Sequence, residues 1–233
     1  MSRPTLLLSG VAEGLGADIA GTFAKAGYDI VGIARTGRVQ EDLTRRAEAG
    51  GGRYTHLSCD IAQAVGAAAA IAPHAERIDV LIHNAQLLVI KPFEQTTPDE
   101  FENAWRVACL GAVVAAQSVL PHMAARKRGA VILTGATAGM RGAANFSAFA
   151  AAKFALRGLT QSLAREFGPK GSHVAHVVID GLIDAPQTDL RFGTAPSGRM
   201  NPGVVAQAFL DLSAQHPSAW THEMDLRPFS ERF

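Results

Sequence analysis

Cysteine is nearly absent: Cys59 and Cys109 are the only two in 233 residues. They form no spaced motif, which excludes a disulfide framework and suits reduced thiols in a cytoplasmic protein. Charge of one sign is lacking too. With 22 Lys and Arg against 21 Asp and Glu, the net charge is +1, which gives no electrostatic basis for nucleic acid or an anionic membrane. Long apolar runs are missing, since Ala67–Ala72 and Ala112–Ala116 fall well short of a bilayer span. Met1–Thr5 leads straight into a strand, so no leader segment is expected. The eight histidines contain no His-x-x-x-His pair. His173 and His176, three apart on a strand, face opposite sides, so no metal is expected. There is no G-x-S-x-G nucleophile elbow, internal repeat, low-complexity linker or charge block.

What is present suits one α/β domain over residues 1–233, with 48% hydrophobic residues for its core. Thr5–Ser9 reads as an apolar strand running into Ser9-Gly10-Val11-Ala12-Glu13-Gly14-Leu15-Gly16 and then a helix over Ala17–Ala26. A strand, a glycine turn and a helix start make a phosphate cradle, because backbone N–H groups and the positive helix end face the anion. The glycines permit the tight turn and the close approach of a pyrophosphate. After the second strand, Tyr28–Ala34, an acid would select the ribose hydroxyls of NAD, whereas an Arg accommodates the 2′-phosphate of NADP. Ala34-Arg35-Thr36-Gly37-Arg38 has the Arg and no acid, so Arg35 points to NADP(H), with NAD(H) as the second cofactor. Glu13, inside the glycine turn, works against that choice.

Further strands are expected at Arg53–Ser58, Ile78–His83, Val131–Thr134, Ser172–Ile179 and Trp220–Leu226. Helices are expected over Gln40–Ala49, Ala62–Ala72, Asp99–Arg126, Phe146–Phe167 and Val204–Ser213. Thr97-Pro98-Asp99-Glu100 supplies a cap and a first-turn Pro for the long helix. Asp60 reads as an N-cap for the helix Ala62–Ala72. The polar, Gly- and Pro-bearing stretch 185–203 reads as a flexible substrate lid.

The spacing of the glycine turn, Asp60, Asn84-Ala85 and Lys153 resembles the short-chain dehydrogenases/reductases, from Thr5 to about Leu226. The resemblance implies a single-domain, doubly wound Rossmann fold with a seven-stranded parallel sheet, order 3-2-1-4-5-6-7, and helices on both faces. It places Ser9, Gly10, Gly14, Leu15, Gly16 and Arg35 along the cofactor. Asp60, Ile61, Asn84, Ala85, Lys153, Gly181 and Ile183 follow in the same role. It also implies a homodimer or homotetramer packed through the two long helices. The family carries a Ser at the end of the fifth strand and, thirteen residues later, the Tyr of Tyr-x-x-x-Lys. Here Ala136 and Phe149 occupy those positions, and Ala108 occupies that of the relay Asn. Gln86 stands for a Gly of the Asn-Asn-Ala-Gly loop, His83 for its first Asn, and Asp180 for the Pro of Pro-Gly.

Phe149 has no exchangeable proton, and losing a general acid costs on the order of 10²–10⁴ in rate. Ordinary alcohols and ketones are therefore expected to turn over poorly. Thr137 is the nearest hydroxyl, although neighbours on an extended segment point apart. Two classes of function follow. One is an NADP(H)-dependent oxidoreductase acting on an activated C=C, imine or unusual carbonyl without the Tyr acid. The other is a non-catalytic NADP(H)-binding sensor or assembly subunit.

Overall fold

The computed structural model describes residues 3–194 and 198–230. Its elements run β1 (Thr5–Ser9), α1 (Leu15–Lys25), β2 (Asp29–Ala34), α2 (Gln40–Ala49), β3 (Tyr54–Ser58), α3 (Ala64–Ile71) and β4 (Val80–His83). They continue with α4 (Pro98–Trp105), α5 (Gly111–Arg126), β5 (Ala130–Thr134), α6 (Ser147–Phe167), β6 (His173–Ile179), α7 (Pro186–Phe192), α8 (Pro202–Ser213) and β7 (Glu223–Leu226). All seven strands pair in parallel, in the order β3-β2-β1-β4-β5-β6-β7.

A parallel sheet has both faces covered, so its strands read as continuous apolar runs. Leu6-Leu7-Leu8 shows how the faces divide. Leu6 and Leu8 pack with Phe23 of α1, Leu43 of α2 and Phe209 of α8. Leu7 points the other way, into Ile71 of α3 and Ala112, Ala115 and Val119 of α5. The chain winds one way from β1 to β3 and the other way from β4 to β7. The order therefore reverses between β1 and β4, and a crevice opens there at the carboxyl ends of the strands.

Thr97 caps α4: its hydroxyl accepts from the Glu100 N–H at 3.3 Å, and Glu100 returns a bond to the Thr97 N–H at 3.0 Å. α4 and α5 are one continuous helix, joined by a π-turn over Arg106–Leu110. By length and mean hydropathy, 1.6 over its most apolar window, this helix could cross a membrane, yet over half of that window is buried in the domain.

One expectation is corrected. The stretch 185–203 is not wholly loop, because α7 occupies Pro186–Phe192 and α8 begins at Pro202. Pro186 at the first helical position and Gly193, at φ +76° past the end, are the signals for this helix. Residues 195–197 of that stretch lie outside the described residues.

Candidate active site

β1 delivers the chain into a turn that is closed to a side chain at Gly10 and Gly16. Gly10 sits at φ +87°, and a Cβ there would stand 2.5 Å from Ala85 N and 2.7 Å from Ala85 Cα. A Cβ on Gly16 would meet the Gly10 carbonyl at 2.5 Å. The glycine turn and the Asn84-Ala85 loop are thus pressed backbone against backbone. Asn84 fastens them, donating its N–H to Ser9 O at 2.9 Å and its Nδ2 to Gly10 O at 3.3 Å. α1 starts behind Gly14 with no side-chain cap. The Ala17 N–H is taken by Ala12 O at 2.9 Å, which leaves the N–H groups of Leu15 and Gly16 and the positive helix end for an anion. These residues fit a pyrophosphate.

At the outer end of the crevice Arg35 lies exposed just past β2. Glu13, the residue that argued against a 2′-phosphate, is turned toward α7: its carboxylate accepts from Gln187 Nε2 at 2.9 Å. Asp60 Oδ1 accepts from the Ala62 N–H at 3.0 Å, as a turn-capping carboxylate does. The Ile61 side chain is buried, 2.9 Å from where a Cβ on Gly111 would stand, so only its backbone is left to face a cofactor. Gly181 is similarly enclosed, with Pro228 Cδ at 2.7 Å from its Cβ position. Ile183 bridges to Met200, where the chain returns from α7.

Ser9 is fully buried, and its hydroxyl bonds His83 Nδ1 at 2.7 Å. His83 Nε2 lies 3.2 Å from Val107 O, the carbonyl inside the π-turn. A carbonyl only accepts, so Nε2 carries the ring proton and Ser9 donates to Nδ1. Burial, with the nearby Lys153 charge, pushes His83 down to about 3, so the ring is neutral. His83 is a structural connector between β1, β4 and the long helix.

The reaction centre expected from the resemblance is a buried apolar cluster. Phe149 is buried with Ala138 and Ala150, and Ala136, Phe146 and Leu88 pack around them. Ala108 lies buried at the π-turn beside Ala104, Ala148 and Ala152. Lys153, one turn beyond Phe149 on α6, is fully buried, with Nζ donating to Thr134 O at 2.8 Å and 5.6 Å from the centre of the Phe149 ring. Burial lowers its pKa from 10.5 to about 7.

One polar pair breaks this apolar surround. Ala136 is extended, and Thr137 opens a single 3₁₀ turn, Thr137–Gly139. The Thr137 hydroxyl donates to Asp180, the residue directly after β6. Thr137 was visible in the sequence as the nearest hydroxyl. Asp180 was visible only as a replaced Pro, although an acid directly after the apolar run Val177-Val178-Ile179 is itself a signal.

α7 lies across the crevice mouth. Gln187 holds the glycine turn through Glu13, and Arg191 donates to Leu88 O at 2.9 Å on the loop after β4. Arg199 closes the base of this segment on Asp189 at 2.6 Å. A separate concavity of about 350 Å³, lined by His173, Trp220 and His222 among others, opens at the opposite end of β6 and β7.

Comparison with known proteins agrees with this geometry. The short chain dehydrogenase family model matches residues 4–190, and the chain belongs to that family. D-threitol dehydrogenase of Mycolicibacterium smegmatis is 29% identical over 222 residues, covering 89% of this chain and 85% of that protein. A short-chain dehydrogenase structure from Rhodopseudomonas palustris is 34% identical, superposes with a TM-score of 0.84, and covers 98% of this chain and 100% of its own. A metagenomic short-chain oxidoreductase in complex with NADP is 26% identical, with a TM-score of 0.84 and coverage of 97% and 98%. The family is one of oxidoreductases that bind NAD(P).

Proposed function

We propose that this chain is an NADP(H)-dependent oxidoreductase that acts on a small molecule without a tyrosine acid, its substrate an activated C=C, an imine or an unusual carbonyl. The observation that carries the reading is an intact pyrophosphate cradle beside a reaction centre whose Tyr position is filled by buried Phe149. The exposed Arg35, the absence of an acid at Ala34, and Glu13 engaged with Gln187 rather than free in the turn favour the 2′-phosphate over a bare ribose. The relative captured with NADP lends weight to the same choice.

When bound, the nicotinamide supplies or accepts a hydride. The chain's own part is to hold and orient. The glycine turn and the α1 start take the pyrophosphate, and Arg35 the 2′-phosphate. Lys153, with one of its three donors on Thr134 O, has two left for ribose hydroxyls. α7 covers the crevice and limits water. Trp105 and Phe154, partly exposed on the two long helices, support a homodimer or homotetramer built through those helices. The near-neutral charge and free cysteines suit the cytoplasm.

The second reading, a non-catalytic NADP(H)-binding protein, is favoured by one observation: the Lys153 amine is closed off beneath Phe149. Two measurements decide. Fluorescence titration with NADPH and NADH should give tighter binding for NADPH, and equal or reversed affinity overturns the cofactor assignment. A hydride-transfer screen over imines, activated enones and ketones should give turnover. Silence across it with NADPH bound favours the second reading.

A further inference from the structure

Asp180 is a buried carboxylate that the reading above does not use. Its side chain is only 5% exposed, at the end of β6, where the family has an apolar Pro. A lone carboxylate in such a place costs several kcal/mol unless it is paired and hydrogen-bonded. Here three groups face it, from two loops. Arg227, after β7, reaches it at 3.4 Å and shares its guanidinium with Asp225. Arg141, half-exposed after β5, stands at 3.8 Å. Thr137, also after β5 and directly beside Ala136, donates its hydroxyl proton.

That donation has a direction. With its proton committed to Asp180, Thr137 Oγ1 has its lone pairs free to accept. Thr137 is part-exposed and is the residue directly after the position where the family's catalytic Ser stands.

Building on the NADP(H) cofactor reading alone, and departing from the substrate class given above, we propose that Thr137 and Asp180 form a two-residue proton relay that replaces the missing tyrosine, suited to oxidising a secondary alcohol. In the step, the substrate C–H bond breaks and its electron pair leaves with the hydrogen as hydride to oxidised nicotinamide. The alcohol O–H proton passes to Thr137 Oγ1 as the hydroxyl proton of Thr137 passes to Asp180. The products are a ketone, the reduced cofactor and a neutral Asp180, which returns its proton to water. Reduction of a ketone is the same path reversed. Thr137 touches the substrate and is the catalytic residue. Asp180 acts through it.

The test compares the natural protein with Thr137→Val, Thr137→Ser and Asp180→Asn, using NADP+ with isopropanol, cyclohexanol and lactate as probes. Thermal midpoints and NADP+ dissociation constants are measured alongside rates. The relay requires that the natural protein form NADPH from at least one probe. Thr137→Val and Asp180→Asn should each lower kcat by about 10²–10⁴, the scale of a lost acid–base group. NADP+ affinity should stay within about twofold, since neither residue belongs to the cradle. Thr137→Ser should restore activity. The loss of rate on acidification, which marks a carboxylate acting as base, should vanish in Asp180→Asn. If Asp180→Asn does not fold, the near-isosteric Thr137→Val decides alone.

Rates within about threefold of the natural protein in Thr137→Val make the cluster structural and overturn the relay. No oxidation of any probe while NADP+ binds also overturns the relay and leaves the cofactor reading standing. Failure of the natural protein to bind NADP+ overturns the cofactor reading itself.

Discussion

Replacing Lys153 with Met should make the protein more stable below neutral pH and less able to bind its cofactor. The Lys153 amine is fully buried, and its pKa falls from 10.5 to about 7. At about 1.36 kcal/mol per pH unit, that displacement corresponds to an upper value of roughly 5 kcal/mol. The sign follows from proton counts. Between pH 7 and 10.5 the unfolded chain holds the lysine proton and the folded chain does not, so unfolding takes up a proton and stability rises with pH across this window. Below about pH 7 the folded protein carries a buried ammonium and the whole cost is present. Lys153→Met removes that cost but strips Thr134 O of its donor, a loss of about 1–3 kcal/mol. The variant should therefore be more stable than the natural protein at pH 6, by roughly 2–4 kcal/mol, and less stable at pH 10 by up to about 2 kcal/mol, since about 0.7 kcal/mol of the burial cost remains there. Urea unfolding of both proteins at pH 6, 8 and 10 reads the difference directly. NADPH titration of the same variant should show a dissociation constant raised about tenfold or more, the scale of a lost charge-assisted hydrogen bond. Stability curves that run parallel across this pH range would show that the amine is solvated, and the reasoning fails.

Three other outcomes are expected. His83 and His176 are pushed down to about 3 and about 4, so stability should fall as pH drops from about 6.5 toward those values; His83→Asn should flatten this loss, and an unchanged acid-unfolding profile refutes it. Arg35→Ala should raise the NADPH dissociation constant about tenfold or more while leaving NADH nearly unaltered, and an equal effect on both cofactors in fluorescence titration removes Arg35 from the 2′-phosphate site. The Ala136→Ser/Phe149→Tyr double variant should raise the rate of ketone reduction by NADPH by about tenfold or more, and no gain in a steady-state assay means that Phe149 does not occupy the position of a working acid.

The sheet was legible because its signals are local and redundant. Leu6-Leu7-Leu8, Val131-Ile132-Leu133 and Val177-Val178-Ile179 are continuous, and two-sided burial explains them. The glycine turn was legible because a steric demand left a trace in sequence: Gly10 has Ala85 where a side chain would go. Strand ends shifted by a residue or two, and Trp220–His222 fell outside β7, since pairing and not propensity decides where a ladder stops. The helix at Pro186–Phe192 was hidden because its seven residues are mostly polar and carry no buried stripe. The partners of Glu13 and Asp180 were not legible at all. Gln187 is 174 positions from Glu13, and Thr137 is 43 from Asp180, so only the fold brings them together. The burial of Lys153 is likewise a property of what packs on α6 and not of the Lys-bearing motif.

The bridge from Ser9 through His83 to the π-turn bears on how freely this chain could drift back toward the family's pattern. A π-turn leaves backbone carbonyls without their usual helical partners, and here the imidazole takes that of Val107. Restoring Asn at position 108 alone would bury a new amide among Ala104, Ala148 and Ala152, beside a carbonyl already engaged by His83. The amide would need partners that the bridge has used, so the single step is destabilising by about 1–3 kcal/mol. Replacing His83 first would orphan Ser9 and Val107 instead. Each single change gives a less stable protein, so the bridge ties positions 83 and 108 together and resists their changing one at a time.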